Sequence, residues 1–328
     1  MIHIVTRNIN GMFPEALWRL NLEGAESTSR NGLVMKLPFP AILEYSNPME
    51  RVLFEPRRDA NPFFHLFEAI WMISGSNDLM TPAKFVPRMR EYSDDGTTLN
   101  GAYGFRWREH FGVDQLDAVI KELTERPDSR RAVVAMWDPA QDLPLMASGG
   151  KDLPCNTTIY FSLRVGDQLD MTVCNRSNDL VWGACGANAV HMSFLQEYVA
   201  RGIGVDVGVY YQFTNDLHLY QDHFKLLDIG AFSGDVPDPY NQGVVHPVPL
   251  YDEPGERKAF DEDCRYWLQK DYTVVTPYFI QVVMPLLRAW ESYKKGDILW
   301  AMQYAQDCGA PDWRRAAMEW LKRRKPAL

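Results

Sequence analysis

Leu153-Pro154-Cys155-Asn156-Thr157, then Arg176-Ser177-Asn178-Asp179, Gly183, Asn188 and Asp216-Leu217-His218-Leu219-Tyr220, form the stretch on which the reading of this chain turns. From Cys155 to Tyr220 it spans 66 residues. It supplies a thiol that can act as a nucleophile, a guanidinium suited to a phosphate, a primary amide and two hydrogen-bonding rings. Thr157 to Leu163 and Gln168 to Cys174 alternate or run apolar around Val165-Gly166-Asp167, which predicts a hairpin of two core strands. Asn188 to Arg201 carries a helical apolar period closed by Gly202 and Gly204, and Val205 to Phe213 returns as a strand.

Upstream, Asn61 to Ser74 reads NPFFHLFEAIWMIS, with apolar residues at helical spacing behind an Asn-Pro start, and predicts a buried helix that contains Glu68. Leu116 to Glu125 predicts an amphipathic helix and Arg131 to Trp137 a strand. Downstream the texture changes near residue 232. A Pro-, Gly- and Asp-rich passage through Glu256 leads to helical patterns at 258–270, 277–294 and 311–324. The expected organisation is an α+β catalytic core over 1–232, a mixed β-sheet packed by helices, with a helical extension over 233–328 packed on it. Trp267, Trp290, Trp300, Trp313 and Trp320 of the extension read as core-packing groups.

With 328 residues, 46% apolar and 23% charged, the chain has the make-up of a soluble globular protein. A net charge of −9 argues against binding a nucleic-acid polymer, while leaving room for a local basic pocket. Five cysteines (155, 174, 185, 264 and 308) show no close CxxC pair, which speaks against a metal site and for free thiols in a reducing cytoplasm. No apolar run reaches the length of a membrane span, and the first residues lack a signal-peptide pattern.

An isolated cysteine is usually a small buried hydrophobe, and the other four are read that way. Cys155 changes category because of its neighbours. Over residues 28 to 222 the chain resembles the thymidylate synthase family, including its pyrimidine hydroxymethylase members. The matching segments are Ser29-Arg30-Asn31-Gly32, the Glu68 helix with Trp71 and Gly75, Ala102-Tyr103-Gly104-Phe105-Arg106-Trp107, Asp128-Ser129-Arg130-Arg131 and the stretch from Leu153 to Tyr220.

The resemblance implies that Cys155 adds to C6 of a pyrimidine nucleotide, so that C5 takes a one-carbon unit from 5,10-methylenetetrahydrofolate as cosubstrate. It implies Glu68 as the acid/base and Tyr103 as a tyrosine near C5 that helps proton removal. Arg30, Arg130, Arg131, Arg176 and Ser177 match the phosphate ligands, with Arg130 and Arg131 crossing between the subunits of a homodimer. Asn188 matches the base-reading amide, His218 and Tyr220 the pair that contacts the sugar, and Asp179 the aspartate that receives the folate ring. Arg57, Arg58 and Arg323 read as solvated surface charges.

Counting back from His218 puts Asn188 at the base, whereas counting forward from Arg176 puts Ala187 there, so Trp182 to Asn188 contains one inserted residue. One amide can answer both the N3 hydrogen and the O4 acceptor of uracil. Members acting on cytosine are known for an aspartate at this place, so dUMP is preferred here and dCMP or CMP stays as the alternative. Three features depart from ordinary thymidylate synthases. Pro87-Arg88-Met89-Arg90-Glu91-Tyr92 lacks the shielding tryptophans, Asn156 replaces the histidine after the nucleophile, and a long extension ending Pro326-Ala327-Leu328 replaces the sealing C-terminal tetrapeptide. A closed, dry site favours reduction to a methyl group, and one that admits a held water favours a hydroxymethyl group. The expected activity is deoxyuridylate hydroxymethylation, with dTMP synthesis the near alternative and a catalytically inactive nucleotide-binding protein the alternative from another class. A papain-like hydrolase using Cys155 with His191 or His218 lacks the local cysteine signature.

Overall fold

A computed structural model describes residues 1–164, 167–228 and 238–325. Val165 and Gly166 of the expected hairpin turn, the change of texture near residue 232 and the terminal Pro326-Ala327-Leu328 lie outside the described residues. The strands are β1 (Ile2–Thr6), β2 (Ala25–Ser29), β3 (Gly32–Lys36), β4 (Ala41–Tyr45), β5 (Val133–Ala135), β6 (Asn156–Arg164), β7 (Gln168–Asn175), β8 (Asn178–Asp179), β9 (Asp206–Thr214) and β10 (Leu217–Tyr220). They form a mixed sheet in the order β1-β4-β9-β7-β6-β5 and a smaller sheet in the order β2-β3-β10-β8.

The helices are α1 (Ile9–Glu23), α2 (Pro62–Ile73), α3 (Met80–Phe85), α4 (Tyr103–Arg108), α5 (Gln115–Glu125), α6 (Pro139–Ala147), α7 (Asn188–Ile203), α8 (Arg257–Leu268), α9 (Met284–Lys294), α10 (Ile298–Gln306) and α11 (Pro311–Lys322). The expected α+β architecture is present. The strand expected over 131–137 is shorter, Val133–Ala135, and occupies the sheet edge.

The large sheet has two unlike faces because side chains alternate along each strand. Register runs one row across all six strands through Ile4, Leu43, Gln212, Val173, Ile159 and Val134, every one of them buried. The adjacent row, Val5, Glu44, Tyr211, Thr172, Tyr160 and Val133, is exposed or half-exposed.

Helix α2 starts where the Asn61 side chain accepts the N–H groups of Phe63 and Phe64, with Pro62 in the first turn, where a missing N–H costs nothing. All twelve of its residues are buried. A helix apolar on every side must run through the core, and Glu68 is carried there with it. Helix α7 ends at Gly204, whose φ of +90° is the left-handed conformation that glycine adopts without strain. Gly104 lets α4 pass directly over α2, since a Cβ there would lie 1.8 Å from the carbonyl oxygen of Met72.

The C-terminal helices pack on α2 through aromatic rings. Phe67 stacks on Trp267 at 5.4 Å, and Phe63 meets Trp290 at 5.4 Å and Trp320 at 5.5 Å. A buried ion pair, Arg51 to Glu197 at 2.5 Å, adds a polar tie, with Glu197 also accepting the Leu250 N–H at 2.9 Å. Two expectations need correction. Trp300 is 57% exposed and is not a core group, because it lies near the start of α10, a helix the sequence pattern did not predict. Arg58, expected at the surface, is only 8% exposed, because its Nε donates to the carbonyl of Val181 and its guanidinium lies 4.8 Å from the Trp182 ring.

Candidate active site

Cys155 immediately precedes β6 and is half-buried. Arg176, in the turn after β7, ties down the loop before it: Nε donates to the carbonyl of Pro154 at 2.9 Å and Nη2 to that of Leu153 at 3.0 Å. The same Nη2 lies 3.7 Å from Cys155 Sγ. Burial pushes the thiol pKa up, the charges of Arg176 and Arg30 pull it down, and Asp152 opposes them. The thiolate is therefore favoured by the two guanidinium groups and disfavoured by the protein wall. Arg30 sits at the exposed β2–β3 turn, within 3.4 Å of the Gly150 carbonyl. Ser177 follows Arg176 and is half-buried.

Strands β3, β8 and β10 bring further groups to the same place. Tyr220 pairs with Val34 on β3, and its hydroxyl accepts from Asn31 at 3.4 Å. His218 pairs with Asp179 on β8, lies edge-on to Tyr220 at 5.1 Å and is held through Nδ1 by the Asp216 carboxylate at 3.1 Å. Asp179 accepts the Trp182 N–H through Oδ1 at 2.5 Å. Its Oδ2 is buried without a hydrogen-bond partner, and burial raises its pKa. An acceptor left in this way is open to a ligand's hydrogen-bond donor. Trp182, 48% exposed and set against Arg58 and His223, borders it.

The floor is built from α2, α4 and α7. Tyr103 lies against the main chain at Cys155 and Asn156, and burial raises its pKa. Glu68 Oε2 is buried without a hydrogen-bond partner among the described residues, and desolvation pushes this carboxyl up to about 8. Beside it stands His191, whose Nε2 lies 3.5 Å from Glu68 Oε2 and 3.1 Å from the carbonyl of His65. A carbonyl only accepts, so Nε2 carries the hydrogen, and burial lowers the imidazole pKa to about 3. His191 is a neutral dipole and gives Glu68 no compensating cation. It stands three residues after Asn188, on the same side of α7.

Before α7 the backbone widens into a π-type turn over Leu180–Ala187, broken at Cys185 and Gly186. Such a turn is what one additional residue produces in a helix. Asn188, buried at its end, donates from Nδ2 to Asn178 Oδ1 at 2.9 Å and accepts at Oδ1 from Asn156 Nδ2 at 3.0 Å. Asn156 thus connects the residue after the nucleophile to this amide.

Arg130 and Arg131 are not brought to this group of residues. Both are exposed, and continuing the β5–β6 register puts Arg131 opposite Ser162, seven residues along the strand from Cys155, or about 23 Å. His191 is seated against Glu68 and His218 against Asp216, so neither imidazole is paired with Cys155 as a Cys-His hydrolase requires. Arg58 and the Gln212 amide, which adjoins Asn178 at 2.9 Å, were missed by sequence reasoning. The one local signal for Arg58 was its place just before the apolar run that opens at Pro62, too weak to separate it from Arg57.

Residues 19–230 match the family model described as thymidylate synthase. A deoxyuridylate hydroxymethyltransferase of Pseudomonas phage M6 is 44% identical, over 99% of this chain and 95% of that protein. Deoxyuridylate hydroxymethyltransferases of Bacillus phage SP01 and Delftia phage PhiW-14 are 38% and 35% identical, over 56% and 54% of this chain and 50% of each relative. The chain belongs to the thymidylate synthase family.

Proposed function

We propose that this chain is a deoxyuridylate hydroxymethyltransferase that converts dUMP, 5,10-methylenetetrahydrofolate and water to 5-hydroxymethyl-dUMP and tetrahydrofolate. The folate supplies a one-carbon unit at the oxidation level of formaldehyde. Cys155 Sγ adds to C6 of the uracil, which makes C5 the carbon nucleophile. Tyr103, set against the main chain at Cys155 and Asn156, assists loss of the C5 proton. C5 bonds to the methylene carbon of the folate. Loss of the C5 proton breaks the carbon–nitrogen bond, so that tetrahydrofolate leaves and an exocyclic methylene remains. Water adds to that methylene with its proton passing to Glu68, and the C6–sulfur bond breaks to restore the C5–C6 double bond and release Cys155.

The observation that carries the proposal is the Glu68 carboxyl on the floor of the site, its Oε2 buried without a hydrogen-bond partner among the described residues and its pKa raised to about 8. A carboxyl near neutrality can both accept and return a proton. The segment Pro87–Glu91 is exposed or half-exposed and has no indole to cover the methylene. The Pseudomonas and Bacillus phage relatives carry the same activity in their names.

Asn188 reads the base, Arg176, Ser177 and Arg30 bind the phosphate, His218 and Tyr220 the sugar, and Asp179 the folate. Arg130 and Arg131 act in the site of a partner subunit. Their distance from Cys155 within one chain supports a homodimer, as does the exposed or half-exposed row on the large sheet, since its parallel pairs β1–β4 and β7–β9 are of the kind usually covered on both faces. Five free thiols fit a reducing cytoplasm.

The test is product identification by mass after incubation with dUMP and methylenetetrahydrofolate. The expected product is 5-hydroxymethyl-dUMP without dihydrofolate. Formation of dTMP in step with dihydrofolate absorbance, or turnover of dCMP in preference to dUMP, overturns the reading.

A further inference from the structure

Asn188 belongs to a closed ring of buried hydrogen bonds. Asn188 donates to Asn178, Asn178 Nδ2 donates to Thr214 Oγ1 at 3.2 Å, and Thr214 donates to Asn175 Oδ1 at 3.3 Å. Asn175 Nδ2 donates to Asn156 Oδ1, and Asn156 donates back to Asn188 at 3.0 Å. Amides and hydroxyls can both give and take, so a ring of them closes equally well in either direction. Reversing it would turn the Asn188 amide around.

One bond removes that freedom. Gln212 Nε2 donates to the main-chain carbonyl of Ala184 at 3.0 Å, and a carbonyl cannot donate in return. Gln212 Oε1 must then face Asn178, whose Nδ2 donates to it at 2.9 Å. Asn178 Oδ1 is left facing Asn188, which must offer its NH2 there and its carbonyl to Asn156. The Ala184 carbonyl is available because the π-type turn sends the Asn188 N–H to the carbonyl of Gly183 instead. Gly183 also guards the link, since a Cβ on it would lie 2.4 Å from Asn178 Oδ1.

We infer that Gln212, anchored on the Ala184 carbonyl, is a positioning residue that fixes the direction of the amide ring and so makes Asn188 read uracil and reject cytosine. The inference rests on the reading of Asn188 as the base-contacting amide. After its two ring bonds Asn188 retains one N–H and one oxygen lone pair. That pair answers the O4 and N3–H of uracil, whereas cytosine would set acceptor against acceptor at N3 and donor against donor at N4.

The experiment is calorimetric titration of the full chain with dUMP and with dCMP. Wild type binds dUMP about a hundredfold more tightly than dCMP. Gln212→Met, which keeps the volume and removes the anchor, narrows that ratio by about tenfold, chiefly by tighter dCMP binding. Thr214→Val opens the ring and leaves the anchor, so the ratio holds within about twofold. Wild-type affinities for dUMP and dCMP within about tenfold of each other overturn the inference even if Gln212→Met does not fold. Equal loss of both nucleotides in Gln212→Met, or an equally narrowed ratio in Thr214→Val, overturns it too. A wild-type chain that turns over dUMP but fails these tests leaves the proposed activity standing, while one that binds neither nucleotide removes both.

Discussion

The floor of the site and its rim are built on opposite principles. Glu68, His191, Asn188 and Asn156 are buried on α2, α7 and β6, with Glu68 facing His191 and Asn156 hydrogen-bonded to Asn188. Arg30 and Arg176 are exposed on turns at the rim, and Arg130 and Arg131 are exposed well away from it in the same chain. Buried polar groups must be satisfied or shifted in pKa, so the floor is rigid and complete within one chain. Exposed cations stay charged without help, so they can be contributed from a distance, including from another subunit. On the proposed function, the comparison separates the chemistry and the reading of the base, assigned to the floor, from phosphate binding, assigned to the rim.

The largest effect should come from the nucleophile, where floor and rim meet. Cys155→Ser is expected to lower turnover by about 10⁴-fold while dUMP affinity stays within about tenfold, because the phosphate and base contacts remain. Single-turnover kinetics and calorimetry check both parts. Loss of nucleotide binding together with turnover would break the separation.

Glu68→Gln should lower turnover by about 10²- to 10⁴-fold and also alter stability in a pH-dependent way. The folded chain holds the Glu68 proton up to about pH 8, against 4.5 for an unshifted carboxyl. Between these values the folded state binds more protons than the unfolded one, so stability falls as pH rises, by about 1.4 kcal/mol per unit. The amide removes this loss. Thermal melts of Glu68→Gln should match wild type near pH 4 and exceed it at pH 8, and equal melts at both would mean that the carboxyl is hydrated.

At the rim, Arg131→Ala should raise the KM for dUMP by about tenfold to a hundredfold with the product unchanged. Mixed with Cys155→Ser and allowed to exchange subunits, it should regain about a quarter of the wild-type sites, since half of randomly paired dimers carry one intact site. No recovery would place Arg131 outside the partner's site. The smallest effect is expected beside Asp179, the proposed folate contact, where Trp182→Ala should raise the folate KM by about three- to tenfold and leave dUMP binding unchanged.

Much of the fold was legible because its signals are local. NPFFHLFEAIWMIS announces α2 through its cap and its apolar period, and α5, α7, β6, β7 and β9 follow from pattern in the same way. Helix α10 was not legible, since it is nine residues long with only Ala301 and Ala305 buried, and a narrow small-residue seam gives almost no period. Arg58 was misread because arginine next to arginine is usually solvated, and only the approach of Trp182 and the Val181 carbonyl makes a buried seat for it.

Taken by itself, the sequence determined which chemical groups are available: one thiol in a family setting, one carboxyl in an apolar helix, and an amide at the head of a helical run. These follow from order along the chain. Only the tertiary structure decided their states, because pKa and hydrogen-bond direction depend on which groups from distant segments share a dry space. Glu68 meets a neutral His191 rather than a cation, and Asn188 takes its orientation from Gln212 on a strand whose register places that amide under a carbonyl that the widened turn leaves out of the helical hydrogen-bond ladder.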